Sequence, residues 1–114
     1  MTEPTLQIDI QSIDNSTVVV PLGDIDMSNS MHLRSALRSL LSEDPSKIIL
    51  DMHAVPYMDS SGLGTLIEAV QLSNQAAITF LLCNITEGVQ SIITLSKLDL
   101  IFNIHSSRKD ALAE

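Results

Sequence analysis

The sequence is poor in aromatic residues. They make up 3% of its 114 residues, and tryptophan is absent, so any core has to be built from aliphatic side chains. Basic residues are also scarce, six against fourteen acidic ones, for a formal net charge of −8. A duplex-binding surface needs clustered Lys and Arg to displace counterions. The balance therefore excludes direct nucleic-acid binding and attachment to anionic membrane, and favours a basic patch on another protein as partner. Only one cysteine is present, Cys83. It cannot form an internal disulfide, and its setting in the apolar run Ile78 to Cys83 suits a small buried hydrophobe rather than a reactive thiol. No apolar run approaches the roughly 20 residues of a membrane span. No basic region followed by an apolar stretch opens the chain, so no signal peptide is expected and the cytoplasm is the expected location.

What is present is 45% apolar and 18% charged, the composition of a globular fold. The length suits one domain over residues 1–114 with its own core. Leu6, Ile8 and Ile10 alternate with polar residues, the period of a half-buried strand. The turn cluster Asp14-Asn15-Ser16 leads into a second strand, Thr17 to Leu22, with Pro21 expected near its end or on an unpaired side. Gly23 to Asp26 breaks the chain, and Asp26 or Ser28 can cap a helix running to about Ser42 with Leu33, Leu37, Leu40 and Leu41 on one face. Pro45 ends it. Ile48-Ile49-Leu50 reads as a strand covered on both faces. A loop from His53 to Asp59 precedes a second helix, Ser60 to about Gln75, striped by Leu63, Leu66, Ile67 and Val70. A strand over 77–83 follows. A third helix opens at Thr86 with Val89, Ile92, Ile93 and Leu98 apolar, then a short strand spans Ile101 to Ile104. Ser107 to Asp110 has the pattern of a capping box and starts a terminal helix. Alternating strands and helices predict an α/β fold with parallel pairing and right-handed crossovers, made mixed by the opening hairpin.

The stretch Val55 to Gly64 carries the most chemical information. It joins a buried strand to a helix, where ligands collect in open α/β sheets. The first turn of a helix leaves N–H groups without partners, and its dipole favours negative charge. Gly62 and Gly64 remove side chains there and let another surface approach. A phosphoryl group on Ser60 or Ser61 would meet free N–H groups, with Asp59 opposing it by like charge. The same residues also make an ordinary helix cap, and local chemistry does not choose between the two serines.

Catalytic patterns are incomplete. No Lys follows Gly64, as a P-loop requires. Ser60-Ser61-Gly62 lacks the first glycine of a hydrolase elbow. His32, His53 and His105 are scattered, outside metal-ligand spacing. His53 is near Ser60 in sequence, and Asp24 and Asp26 could attract a cation, but solvated or structural roles account for all three. A binding protein without enzymatic activity, metal or cofactor is expected.

The element order, Gly23-Asp24-Ile25-Asp26 after the second strand, Ile48 to Asp51, and Tyr57-Met58-Asp59-Ser60-Ser61-Gly62-Leu63-Gly64 together resemble the STAS domain of bacterial anti-sigma-factor antagonists. The resemblance spans nearly the whole chain. It implies a STAS fold, a mixed four- to five-stranded sheet with an N-terminal β-hairpin packed against about four helices. It implies Ser60 as the phosphorylated residue, with Asp26 and Asp59 positioning it, and a partner surface of Asp24, Asp26, Asp59, Ser61, Gly62, Leu63 and Gly64. The implied partners are an anti-sigma factor that is also a serine protein kinase, and a PP2C-type phosphatase. The unphosphorylated protein would bind the kinase and free its target, and phosphorylation would end that binding. The chain departs from the pattern at Ser73 to Ala77, where many members have a glycine-containing turn; Asn74 is expected to take the left-handed conformation there. A static adaptor subunit of a transport or signalling complex is the alternative within the same resemblance.

Overall fold

A computed structural model describes residues 5–114. Along the chain lie β1 (Gln7–Ile13), β2 (Ser16–Leu22), α1 (Ser30–Ser42), β3 (Lys47–Asp51), α2 (Ser60–Ala76), β4 (Thr79–Cys83), α3 (Glu87–Leu95), β5 (Ile104–His105) and α4 (Arg108–Ala113). The α/β element order is the one expected. The strands form one sheet in sequential order. β1 is antiparallel to β2, and the pairs β2–β3, β3–β4 and β4–β5 are parallel. Among the described residues no helix is long and apolar enough to cross a membrane.

The sheet has apolar residues on both faces. Ile48 and Leu50 of β3 pack with Val19, Phe80 and Leu82 against Leu33 and Leu37 of α1, Leu63 and Leu66 of α2, and Val89 and Ile93 of α3. Ile49 points the other way, with Val18, Val20, Leu81 and Cys83, under Ala111 and Leu112 of α4. Burial on both faces is why β3 reads as an unbroken apolar run. Pro21 is the second-last residue of β2, beyond Val19, the last residue registered with β3.

Several boundaries differ from the sequence reading. Ile10 is 49% exposed, so β1 is less buried than its alternation suggests. Just before β1 the Leu6 N–H donates to Nδ1 of His32 in α1 at 3.2 Å. The N-cap of α1 is Asn29, not Asp26 or Ser28. Asp26 Oδ1 instead accepts from the Ser28 N–H and hydroxyl, a local turn that delays the helix. The left-handed residue after α2 is Ala77, at φ 58°, not Asn74. The helix runs on so that Ile78 N–H can close on the Ser73 carbonyl and Ile78 can enter the core. Leu98 lies beyond α3. Residues 98–101 form a turn closed by Ile101 N–H on the Leu98 carbonyl, which shortens β5 to two residues. The terminal helix does begin at the expected cap, with Ser107 Oγ accepting from Asp110 N–H at 3.1 Å.

Candidate functional site

The loops after β2 and β3 close side by side at the carboxyl ends of their strands. Gly23 N–H donates to the Ala54 carbonyl at 2.9 Å, Ile25 N–H to Tyr57 at 3.0 Å, and Asp59 N–H back to Ile25 at 3.1 Å. Ile25 and Met58 form a parallel bridge. Both are fully buried, as is Val55, so apolar side chains anchor the loops from beneath. A third element braces them. Thr86, the N-cap of α3, donates its hydroxyl to the Val55 carbonyl at 2.7 Å. A Cβ on Gly88 would lie 2.0 Å from the Pro56 carbonyl oxygen, so only glycine permits this approach.

Asp59 is the N-cap of α2. Its Oδ1 accepts from the Ser61 N–H (2.9 Å), the Ser61 hydroxyl (2.5 Å) and the Gly62 N–H (3.3 Å). Its Oδ2 accepts from the Met27 N–H at 3.1 Å, which ties the loop after β2 to the start of α2. The Ser61 hydroxyl, followed by the amides of Gly62, Ser61 and Met27, holds the Asp59 carboxyl below its ordinary value against a smaller opposing effect of desolvation. Asp59 therefore stays anionic across the neutral range.

The sequence-derived residues divide in space. Ser60 is the first residue of α2 and is exposed; its hydroxyl has no partner among the described residues. Ser61 is half-buried and bonded to Asp59. Gly64 and Asp24 are exposed, and Asp26 is half-buried and engaged with Ser28. Two expectations need correction. Gly62 and Leu63 are buried, so they do not face a partner directly. A Cβ on Gly62 would come 2.4 Å from Met58 Cγ and 2.8 Å from Ile25 Cγ2, so this glycine admits the protein's own loops. The N–H groups of Ser61 and Gly62 are also not free for a phosphoryl group, because Asp59 already occupies them.

His53 does not turn to Ser60. Its Nδ1 contacts Asp51 Oδ1 at 2.9 Å, within a cluster the sequence did not announce. Asp51 is 2% exposed at the end of β3. It accepts from Asn84 Nδ2 (3.2 Å) and from Arg108 Nε and Nη2 (2.9 Å each). Burial pushes the Asp51 carboxyl up, and the bonds from His53, Asn84 and Arg108 outweigh it and hold the group below its ordinary value. The only local signal was an acid closing an apolar strand. Beside it, burial and then the charge of Asp51 push the Cys83 thiol up to about 11, which makes it inert.

Comparison with known proteins agrees with this architecture. The STAS domain family matches residues 7–111. An anti-sigma F factor antagonist from Paenibacillus polymyxa is 26% identical over 110 residues, spanning 96% of this chain and 94% of that protein. The crystal structure of an anti-sigma factor antagonist from Mycobacterium paratuberculosis superposes with a TM-score of 0.84 at 23% identity, covering 95% of this chain and 92% of the other. The anti-sigma factor antagonist SpoIIAA in its unphosphorylated form gives a TM-score of 0.78 at 18% identity, with 93% of both chains covered.

Proposed function

The chain belongs to the STAS domain family, and we propose from that premise that it is an anti-sigma-factor antagonist whose binding is switched by phosphorylation of Ser60. The observation that carries this reading is the contrast between two adjacent serines. The Ser61 hydroxyl is spent on the Asp59 carboxylate, whereas Ser60 presents a free hydroxyl at the first, exposed position of α2. Relatives point the same way: one is an anti-sigma F factor antagonist, and a structural neighbour is known in an unphosphorylated form.

The unphosphorylated protein would bind an anti-sigma factor that is also a serine kinase. Met27 and Met31 are 81% and 68% exposed, and Tyr57 is 53% exposed. They supply apolar contact on the same loops and on the first turn of α1. Asp24, Asp26 and Asp59 add acidic groups, and with a net charge of −8 they suit a basic partner surface. A phosphate on Ser60 adds about −1.5 to −2 charge at pH 7. Asp59 already takes the amides of Ser61 and Gly62, the second and third of α2, so the phosphate would stand outward beside a carboxylate. It would oppose the partner by repulsion and desolvation without refolding the domain. A loss of roughly 4 kcal/mol is about a thousandfold in affinity, enough for a switch. A PP2C-type phosphatase would reset it.

Incubation with the partner kinase and ATP, followed by mass spectrometry, should place the phosphate on Ser60 and find none in Ser60→Ala. In a titration Ser60→Ala should bind the kinase as the unmodified protein does, and Ser60→Asp should bind weakly. Equal affinities for the two variants would overturn the switch and leave a static docking module.

A further inference from the structure

We propose that the free edge of β1 is a homodimer interface, in which the strand pairs antiparallel with β1 of a second copy, centred on Ile10. The sheet has two ends. At one, β5 is two residues long, and the Glu114 carboxylate contacts Asn103 and His105 beside it. At the other, β1 holds seven residues in unbroken register with β2, with no bulge. Among the described residues β2 is its only strand partner. Alternate residues of such a strand turn their N–H and C=O groups outward, where they can template another strand. Natural edges are commonly blocked by Lys, Pro or a bulge. The sequence Gln7-Ile8-Asp9-Ile10-Gln11-Ser12-Ile13 uses none of these.

Its side chains select the occupant. β1 carries a single charge, Asp9. In antiparallel pairing about Ile10, Asp9 stands opposite Gln11 of the second copy, Ile8 opposite Ser12, Gln7 opposite Ile13, and Ile10 opposite itself. No like charges meet, whereas parallel in-register pairing would set Asp9 against Asp9. Gln11 is prepared for that position. Its Oε1 accepts from Arg108 Nη1 at 3.5 Å, which leaves its amide N–H groups to donate to the carboxylate across the two-fold axis. The symmetry makes this contact twice, and Ile10, half exposed in the single copy, is covered by its own counterpart. None of the residues of β1 that form the interface belongs to the candidate site around Ser60.

Sedimentation equilibrium of the full chain at about 0.15 M salt, where charge repulsion is screened beyond about 8 Å, should show a concentration-dependent dimer. Ile10→Lys should weaken it roughly tenfold or more by placing two ammonium groups face to face. At concentrations where both proteins are monomeric the melting temperature of Ile10→Lys should match that of the unmodified chain, because Ile10 is half exposed in the single copy. The two should diverge as concentration rises and the dimer adds its own stability. Directly paired Cα atoms lie about 4.5–5.5 Å apart, within disulfide range. Ile10→Cys should therefore cross-link under mild oxidation, and Gln7→Cys should not. A monomer at every concentration would overturn the proposal. So would a dimer that Ile10→Lys leaves intact, or one that links through Gln7→Cys instead of Ile10→Cys.

Discussion

Gly62 and Gly64 lie two residues apart in the first turns of α2, yet their surroundings are opposite. A methyl group on Gly62 would collide with Met58 and Ile25, while one on Gly64 meets nothing within 4 Å. Overpacking of a tight site costs about 1–3 kcal/mol. Replacing a helical glycine by alanine where space is open gains about 0.5–1 kcal/mol. Gly62→Ala should therefore lower the urea midpoint, and Gly64→Ala should raise it. If Gly64 is the open approach to the partner, Gly64→Ala should also reduce affinity in spite of the added stability. The sequence showed two glycines near a cap and could not separate them, because the separation depends on loops packed from another part of the chain. Ser60 and Ser61 are a different case. An N-cap carboxylate reaches for the second and third amides of its helix, and here it also takes the hydroxyl of the second residue, Ser61. That preference was open to a closer reading of the sequence, and it is the local reason Ser60 is left free.

At the scale of elements, the site depends on α3, which contributes none of the residues singled out from the sequence. Gly88 seats the first turn of α3 against the Pro56 carbonyl, and Thr86 bonds Val55. Gly88→Ala would bring a Cβ within 2.0 Å of a backbone oxygen, so the helix or the loop bearing Tyr57 must move. The expected cost is about 1–3 kcal/mol, with weaker partner binding although no partner-facing side chain is changed. Chemical denaturation and a binding titration on one preparation check both. The sequence announced α3 by its Thr cap and apolar stripe but gave no sign of what Gly88 touches. Element order was legible throughout, since the alternation of strand and helix periods sets it. Element ends were not. Asn29 displaced Asp26 because the Asp26 side chain formed a local turn. Ala77 took the left-handed turn because Ile78 had to reach the core.

Across the whole molecule, acid stability follows from three carboxylates that connect distant segments. Asp51 joins β3 to α4 through Arg108, Asp59 joins the loop after β2 to α2, and Glu68 of α2 holds Arg34 and Arg38 of α1. The sequence fully disclosed the negative charge, but not these pairings, whose partners are 57, 32 and 34 or 30 residues apart. All three groups are held below their ordinary values, 3.8 for the aspartates and 4.5 for Glu68. For Glu68 burial acts upward, and the hydrogen bonds from Arg38 and Arg34 outweigh it. A lowered folded pKa means that the unfolded chain takes up protons first as the pH falls. The stabilisation is therefore complete above the ordinary values and is lost as the pH falls through the folded ones. Urea midpoints should be level near neutrality and should fall steeply below about pH 4. Asp51→Asn should remove part of this dependence. It abolishes the charge that pairs with Arg108 on the sheet face covered by the six-residue α4. Removing one partner of a fully buried pair costs about 3–5 kcal/mol. Arg108 retains 29% of its side-chain exposure, so the cost at pH 7 should be nearer ~2 kcal/mol. The curve for Asp51→Asn should start lower at neutral pH, descend less on acidification, and approach that of the unmodified chain in acid. Parallel curves for the two proteins would show that the Asp51 cluster does not carry the acid dependence.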